Sequence, residues 1–110
     1  MQSEFRSCDH GFHIEFPNGV YVSVQFGTGY YCVNRRGYHN PFQSSADAEV
    51  AVIHSHDSWI TKDVFKHLGR RELEDDVAGY VTPDELLPIL NAAASWNPDI
   101  HGWIGDSREE

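Results

Sequence analysis

Residues 54–57 read HSHD and place two histidines two positions apart, with an aspartate directly after them. On a β-strand, His54 and His56 would project to the same face, a suitable spacing for two ligands of one zinc ion. Asp57 could add an oxygen ligand, and the set would then support a small metal-dependent hydrolase. No third ligand is placed by the sequence, and the alternative is a polar hairpin end with His54 half-buried. We favour the hairpin end and predict no cofactor.

A second group of candidate metal ligands is Cys8, His10 and His13. It lacks the paired C-x2-C knuckle of convincing zinc sites, so we expect no functional metal there. Cys32 could act as a nucleophile, but no histidine is paired with it by sequence. A cysteine in an aromatic stretch is more often a small core residue. The sequence therefore predicts that the protein is not an enzyme.

The segment 30–38 is rich in tyrosine and arginine, the residue types enriched at hot spots of protein interfaces. It could grip a partner, or its two arginines could hold a phosphorylated small molecule. The structural alternative is that one tyrosine packs in the core and the arginines pair with nearby acids. The candidate binding residues here are Tyr30, Tyr31, Asn34, Arg35, Arg36 and Tyr38.

Residues 72–76 read ELEDD and form a second candidate binding segment, through Glu72, Glu74, Asp75 and Asp76. Such a patch could mimic an array of phosphates and block a protein that binds nucleic acid. The alternative is a solvated loop.

The chain is strongly acidic, with 17 Asp and Glu against 8 Lys and Arg and a net charge of -9. Such a charge disfavours direct binding to a phosphate backbone or to an anionic membrane. It favours a protein partner with a basic surface, although acidity can also serve solubility alone.

The chain has 110 residues, 40% of them hydrophobic, so we expect one domain over 1–110 with a modest core. Residues 1–10 and 105–110 are expected to be mobile termini. The N-terminus does not resemble a signal peptide, and no apolar run approaches the roughly 20 residues that span a bilayer. Two cysteines do not make a disulfide scaffold, so a soluble cytoplasmic protein is expected.

The pattern of apolar residues predicts the elements that would position these groups. FHIEF (12–16) and VYVSVQF (20–26) alternate around an Asn-Gly turn, which predicts a hairpin. Further strands are predicted at 48–56, 58–65 and 77–81, with a short strand at YYCV (30–33) left open. Residues 68–76 are predicted as a loop or short helical turn.

One helix is predicted after Thr82, because Thr82, Pro83 and Glu85 match a capping box with proline in the first helical position. Pro88 is expected to kink it. The predicted fold is therefore α+β, an antiparallel sheet of four to five strands with one C-terminal helix packed on it.

Three stretches, NGVYVSVQFGTGYYC, SADAEVAV and VAGYVTPDELLPIL, resemble a group of small uncharacterised proteins encoded by bacteriophages and prophages. The resemblance covers roughly residues 12 to 95. It implies a phage accessory gene and not a particular reaction. HSHD and the longer stretch 64–76 depart from the pattern of that group.

The resulting expectation is a phage accessory protein in the cytoplasm of an infected bacterial host, where it binds and inhibits or redirects a host protein, plausibly a defence factor. The alternatives are a protein that sequesters a nucleotide signal and the small hydrolase of HSHD. A homodimer formed through an exposed edge strand is also considered.

Overall fold

The computed structural model describes residues 3–36, 44–55 and 58–97. In these residues an antiparallel sheet of six strands is combined with two helices. The elements run in the order β1 (Glu4–Cys8), β2 (Gly11–Glu15), β3 (Val20–Gln25), β4 (Ala48–His54), β5 (Ser58–Trp59), α1 (Thr61–His67), β6 (Ala78–Val81) and α2 (Pro83–Ala94). The predicted α+β class, with an antiparallel sheet and a C-terminal helix packed on it, is confirmed.

The predicted hairpin is formed by β2 and β3, which pair with Phe12 opposite Val24. Gly19 closes the turn with φ +86°, a left-handed conformation that glycine adopts without steric cost. Val22 and Val24 project to the face that both helices cover, where they are buried. The predicted alternation is correct because one face of the hairpin lies on the core and the other does not.

The outer edge of β4 is shared by several partners. β6 pairs with its first half, at Ala48 and Val50, and β5 pairs with its end. Between them, the N–H of Ile60 donates to the carbonyl of Val52 (2.8 Å). The hydroxyl of Thr61 accepts from the N–H of Val52 (3.0 Å). The backbone groups at this edge are therefore satisfied although no single strand runs along it.

The predicted strand over 58–65 is wrong beyond its first two residues, because the chain leaves the sheet after Trp59 and forms α1. Thr61, Val64 and Phe65 are buried and follow helical spacing, which a period of two does not fit. The helix ends in a Schellman motif, in which the N–H of Gly69 bonds Lys66 and that of Arg70 bonds Phe65. Gly69 has φ +67°, as this motif requires.

Residues 4–8, expected to belong to a mobile terminus, instead form β1 at the end of the sheet. Phe5 in this strand is 79% exposed, so apolar burial does not hold the strand. The strand is held by its backbone hydrogen bonds to β2 and by a 2.6 Å hydrogen bond from Arg6 to the buried Glu15. The homodimer considered from the sequence would use an exposed edge strand of this kind. Residues 105–110 lie outside the described residues.

α2 begins as predicted, with Thr82 as its N-cap and Pro83 in the first turn. The Thr82 hydroxyl accepts from the N–H of Glu85 (3.3 Å). Ile89 and Ala93 face the sheet and are fully buried. The helix continues through Pro88 to Ala94. No helix in the described part of the chain is long and apolar enough to cross a membrane.

Asn18, in the hairpin turn, connects that turn to the end of α2, 75 residues later. Its amide nitrogen donates to the carbonyls of Ala93 (2.9 Å) and Trp96 (3.1 Å). Its amide oxygen accepts from the N–H of Val20 (3.0 Å). These bonds supply donors to carbonyls in the last turn of the helix and just beyond it, where the regular helical bonding pattern ends.

We expect Asn18→Ala to lower the free energy of unfolding by about 1–3 kcal/mol, because it removes hydrogen bonds to partly buried carbonyls. Asn18→Asp should be at least as damaging, since it places a carboxylate against the negative end of the helix. Urea unfolding measures both. The control is Asn91→Ala on the exposed face of α2, for which a change below about 0.7 kcal/mol is expected. Equal effects at positions 18 and 91 would contradict this role of Asn18.

Candidate functional site

The segment from Gly27 to Arg36 is a series of turns held by two carboxylates, and no strand forms at 30–33. The N–H of Tyr31 donates to Glu49 (2.9 Å) and that of Val33 donates to Asp47 (2.8 Å). The two carboxylates thus accept the backbone hydrogen bonds that the carbonyls of a partner strand would otherwise accept. The short strand left open at YYCV is therefore absent.

Two of the candidate binding residues hold this segment in place. The Tyr30 hydroxyl donates to the carboxylate of Asp9, and its ring packs edge-on against His10, 5.8 Å between centroids. The bond to Asp9 raises the pKa of Tyr30 to about 12. Asn34 donates to the carbonyls of Phe26 (2.7 Å) and Ser44 (3.2 Å).

Tyr31 and the arginines face outward. The Arg35 guanidinium lies over the ring of Tyr31, 4.3 Å from its centroid, and also donates to the carbonyl of Gly29 (3.4 Å). Tyr31 remains 41% exposed, and Arg36 is exposed. Tyr38 lies outside the described residues. The Arg35 guanidinium is therefore used in contacts within the protein that support Tyr31, and it is less available to bind a ligand.

The acidic segment is the loop that the sequence predicts, and Arg71 fixes its start. The Arg71 guanidinium donates to the carbonyl of Gly79 (2.8 Å) and to Glu85 (3.3 Å). It also lies over the ring of Phe65, 5.6 Å from its centroid. The loop is thereby joined to α1, β6 and α2 at one side chain.

The structure brings parts of the two candidate segments together in one groove of about 360 Å³. A Cβ atom at Gly79 would lie 2.8 Å from the Cβ of Tyr31, so glycine permits this close approach. We call the site the aromatic–acidic groove and define it by Tyr31, Glu72, Glu74, Asp75 and Tyr80. Asp76 is exposed beside it but does not line it.

Tyr80 was not among the sequence-predicted residues. It has φ +57°, uncommon for a residue other than glycine, at an irregularity in the pairing of β6 with β4. Its N–H donates to the carbonyl of Tyr31 (2.9 Å), and its ring is 49% exposed. The pattern VAGYV indicates a strand but does not reveal a left-handed residue within it.

The candidate metal ligands do not assemble into a site in the described residues. No three His, Cys, Asp or Glu side chains there are grouped to hold a metal. His54 lies at the end of β4 and is half-buried, whereas His56 and Asp57 lie outside the described residues. His10 packs against Gly27. The pKa of His13 is lowered, mainly by burial and secondly by the positive charge of Arg6.

Cys32 has the surroundings of a core residue. It is 1% exposed, and its sulfur lies 3.6 Å from the carbonyl oxygen of Gly27, as a weak donor would. Burial raises the pKa of the thiol, which keeps it protonated at neutral pH. A protonated, buried thiol is a poor nucleophile.

An apolar cavity of about 310 Å³ lies between the end of β3 and the start of α2. Phe12, Val24 and Leu86 form part of its wall, and Asp47 is the one titratable residue among the described residues that line it. The carboxylate of Asp47 already accepts a hydrogen bond from the backbone N–H of Val33. The cavity offers hydrophobic contact rather than reactive groups.

A second groove, of about 490 Å³, was not predicted from the sequence. We call it the basic groove and define it by Lys62, Lys66, Arg70 and Arg71. The sequence analysis places Lys62 in a predicted strand and the two arginines in a predicted loop, with Lys66 between these elements. Helical spacing of the two lysines, together with the turn at Gly69, was the signal that could have found them.

Comparisons of this chain with protein-family models, with curated proteins and with solved structures found no match.

The hydrogen bond between Tyr30 and Asp9 predicts a tyrosine that resists ionisation. Its pKa of about 12 lies above the usual value near 10, so the stabilisation it gives is present below pH 10 and is lost as the pH rises through 12. At pH 11, absorbance at 295 nm should differ between wild type and Tyr30→Phe by about one tenth of a tyrosinate. Circular dichroism at the same pH checks that both stay folded. A difference near one full tyrosinate would contradict the assignment.

Proposed function

We propose that this protein is a phage-type accessory protein that acts by binding a host protein through the aromatic–acidic groove. The observation that carries the proposal is the placement of two exposed tyrosines, Tyr31 and Tyr80, beside the carboxylates of Glu72, Glu74 and Asp75. Tyrosine is among the residue types enriched at hot spots of protein interfaces.

The rigidity of the groove supports binding as its role. Arg71 ties the acidic loop to β6 and α2, and the backbone of Tyr80 is bonded to that of Tyr31. Side chains held in place before binding lose less conformational entropy when a partner arrives. Tyr80 keeps an uncommon left-handed backbone at this position, and such conformations cluster where a protein contacts its ligands.

The charge of the chain supports a basic partner surface. The net charge of -9 would steer a positively charged protein towards this molecule, and the acidic loop would supply local contacts. A host protein that normally holds nucleic acid has such a surface. Occupying that surface would inhibit the host protein or redirect it, as expected for a factor directed against bacterial defence.

A second candidate function, the sequestration of a nucleotide signal, was predicted around Arg35 and Arg36. Arg35 already contacts the ring of Tyr31 and the carbonyl of Gly29. These contacts argue against a nucleotide site at Arg35 and Arg36. Four other cations lie together in the basic groove, away from these two arginines.

The test is affinity capture from nuclease-treated bacterial host lysate, with the tagged protein immobilised and the retained proteins identified by mass spectrometry. We expect one stoichiometric host protein on the wild type. Tyr80→Asn should reduce its retention about tenfold, because it removes the ring while asparagine tolerates the left-handed backbone. Asp75→Asn should weaken retention mainly at low salt.

Two matched controls lie outside the groove, on α2. Leu87→Asn removes another exposed apolar side chain, 61% exposed, and Asp84→Asn removes another exposed carboxylate. Both should retain the host protein as the wild type does. The proposal fails if no stoichiometric host protein is captured, or if Tyr80→Asn and Leu87→Asn retain it equally.

A further inference from the structure

The basic groove concentrates positive charge on a molecule that is otherwise acidic. Lys62, Lys66, Arg70 and Arg71 are half of the eight lysines and arginines of the chain, and all four line the groove. Glu72 is the one acidic residue among the described residues of the lining. Since like charges repel at short range, grouping four cations costs free energy that nearby anions or an anionic ligand can offset.

Backbone geometry brings these cations together. Lys62 and Lys66 are four residues apart and share one face of α1. The Schellman motif at Gly69 then reverses the chain, so that Arg70 and Arg71 line the same groove as the two lysines. Arg71 is fixed there by Gly79, Glu85 and Phe65.

Internal contacts do not account for the other three cations. In the described part of the chain, Lys62, Lys66 and Arg70 form no ion pair. Lys66 suits the last turn of α1, where a positive charge is favourable, but Lys62 lies in the first turn, where it is unfavourable. The stability of α1 therefore explains the positive charge at Lys66, but it does not explain the positive charge at Lys62.

We propose that the basic groove binds the phosphate chain of a ligand that carries two or more adjacent phosphate groups. Lysine provides point charges and arginine a planar donor fork, and both are common phosphate ligands in proteins. The volume of about 490 Å³ lies within the range of small-molecule sites. No aromatic residue is among the described residues that line it, so the phosphates, and not a base, are recognised.

This inference goes beyond the proposed function, because Lys62, Lys66 and Arg70 line the basic groove and not the aromatic–acidic groove. Arg71, Glu72 and Leu73 line both grooves. Phosphate binding can therefore be measured on the purified protein alone, and its failure would leave the host-protein proposal untouched.

The test is isothermal titration calorimetry of the purified full chain with inorganic tripolyphosphate, ATP and AMP. Tripolyphosphate and ATP should bind with affinities within about threefold of each other, and AMP at least tenfold more weakly. Raising the salt concentration should weaken both of the tighter ligands. The comparison separates a free polyphosphate from a nucleotide as the source of the phosphate chain, since tighter binding of ATP would reveal contacts to the nucleoside.

The informative variant is Lys62→Gln/Lys66→Gln, which should lose at least tenfold in affinity for tripolyphosphate. The matched control is Arg35→Gln/Arg36→Gln, which removes the same charge from the other predicted phosphate site and should bind within about twofold of wild type. Lys62→Arg/Lys66→Arg should restore most of the affinity. Thermal unfolding of each variant confirms that the fold is retained.

Three outcomes would overturn the proposal. One is the absence of measurable binding of tripolyphosphate to the wild type. Another is an equal loss in both Gln pairs, which would indicate attraction by overall charge. The third is a loss confined to Arg35→Gln/Arg36→Gln, which would place the phosphate site at the Tyr31 loop.

Discussion

Asn18 joins the two halves of the fold with one side chain. Its amide bonds the carbonyls of Ala93 and Trp96 at the end of α2, and its oxygen holds the hairpin turn through Val20. Asn18 therefore ties the C-terminal end of the helix to the hairpin, and the Thr82 cap satisfies a backbone N–H at its N-terminal end. With α2 fixed across the sheet, the start of that helix is a stable support for the loop that precedes β6.

Arg71 connects the surface loop to the packed helices and sheet. Its bonds to Gly79 and Glu85, and its position over Phe65, connect the loop to three elements at once. The same loop lines two grooves of opposite charge: the lysines of α1 belong to one groove, and Tyr31 and its acidic neighbours belong to the other. Because the loop is anchored at Arg71, both grooves are formed before any ligand is present, which lowers the entropy lost on binding.

The two grooves differ in the kind of ligand that they suit. Tyrosine rings beside carboxylates offer apolar area and negative charge, which fits the surface of a basic protein. Lysines and arginines without an aromatic neighbour in the lining offer positive charge alone, which fits phosphate groups. Among the described residues, neither groove contains a nucleophile paired with a base.

The sequence by itself determined the hairpin, the start of α2 and the antiparallel α+β class, because alternation, an Asn-Gly turn and a capping Thr82 are local signals. It also identified Tyr31 and the acidic loop as candidates. It did not predict β1, which backbone pairing holds, or α1, whose seven residues are too short a stretch for the apolar pattern alone to separate a helix from a strand. Only the tertiary structure decided that Tyr80 faces Tyr31 and that Lys62 shares a groove with Arg70, because these proximities depend on how distant segments pack and on a left-handed backbone that local pattern does not encode.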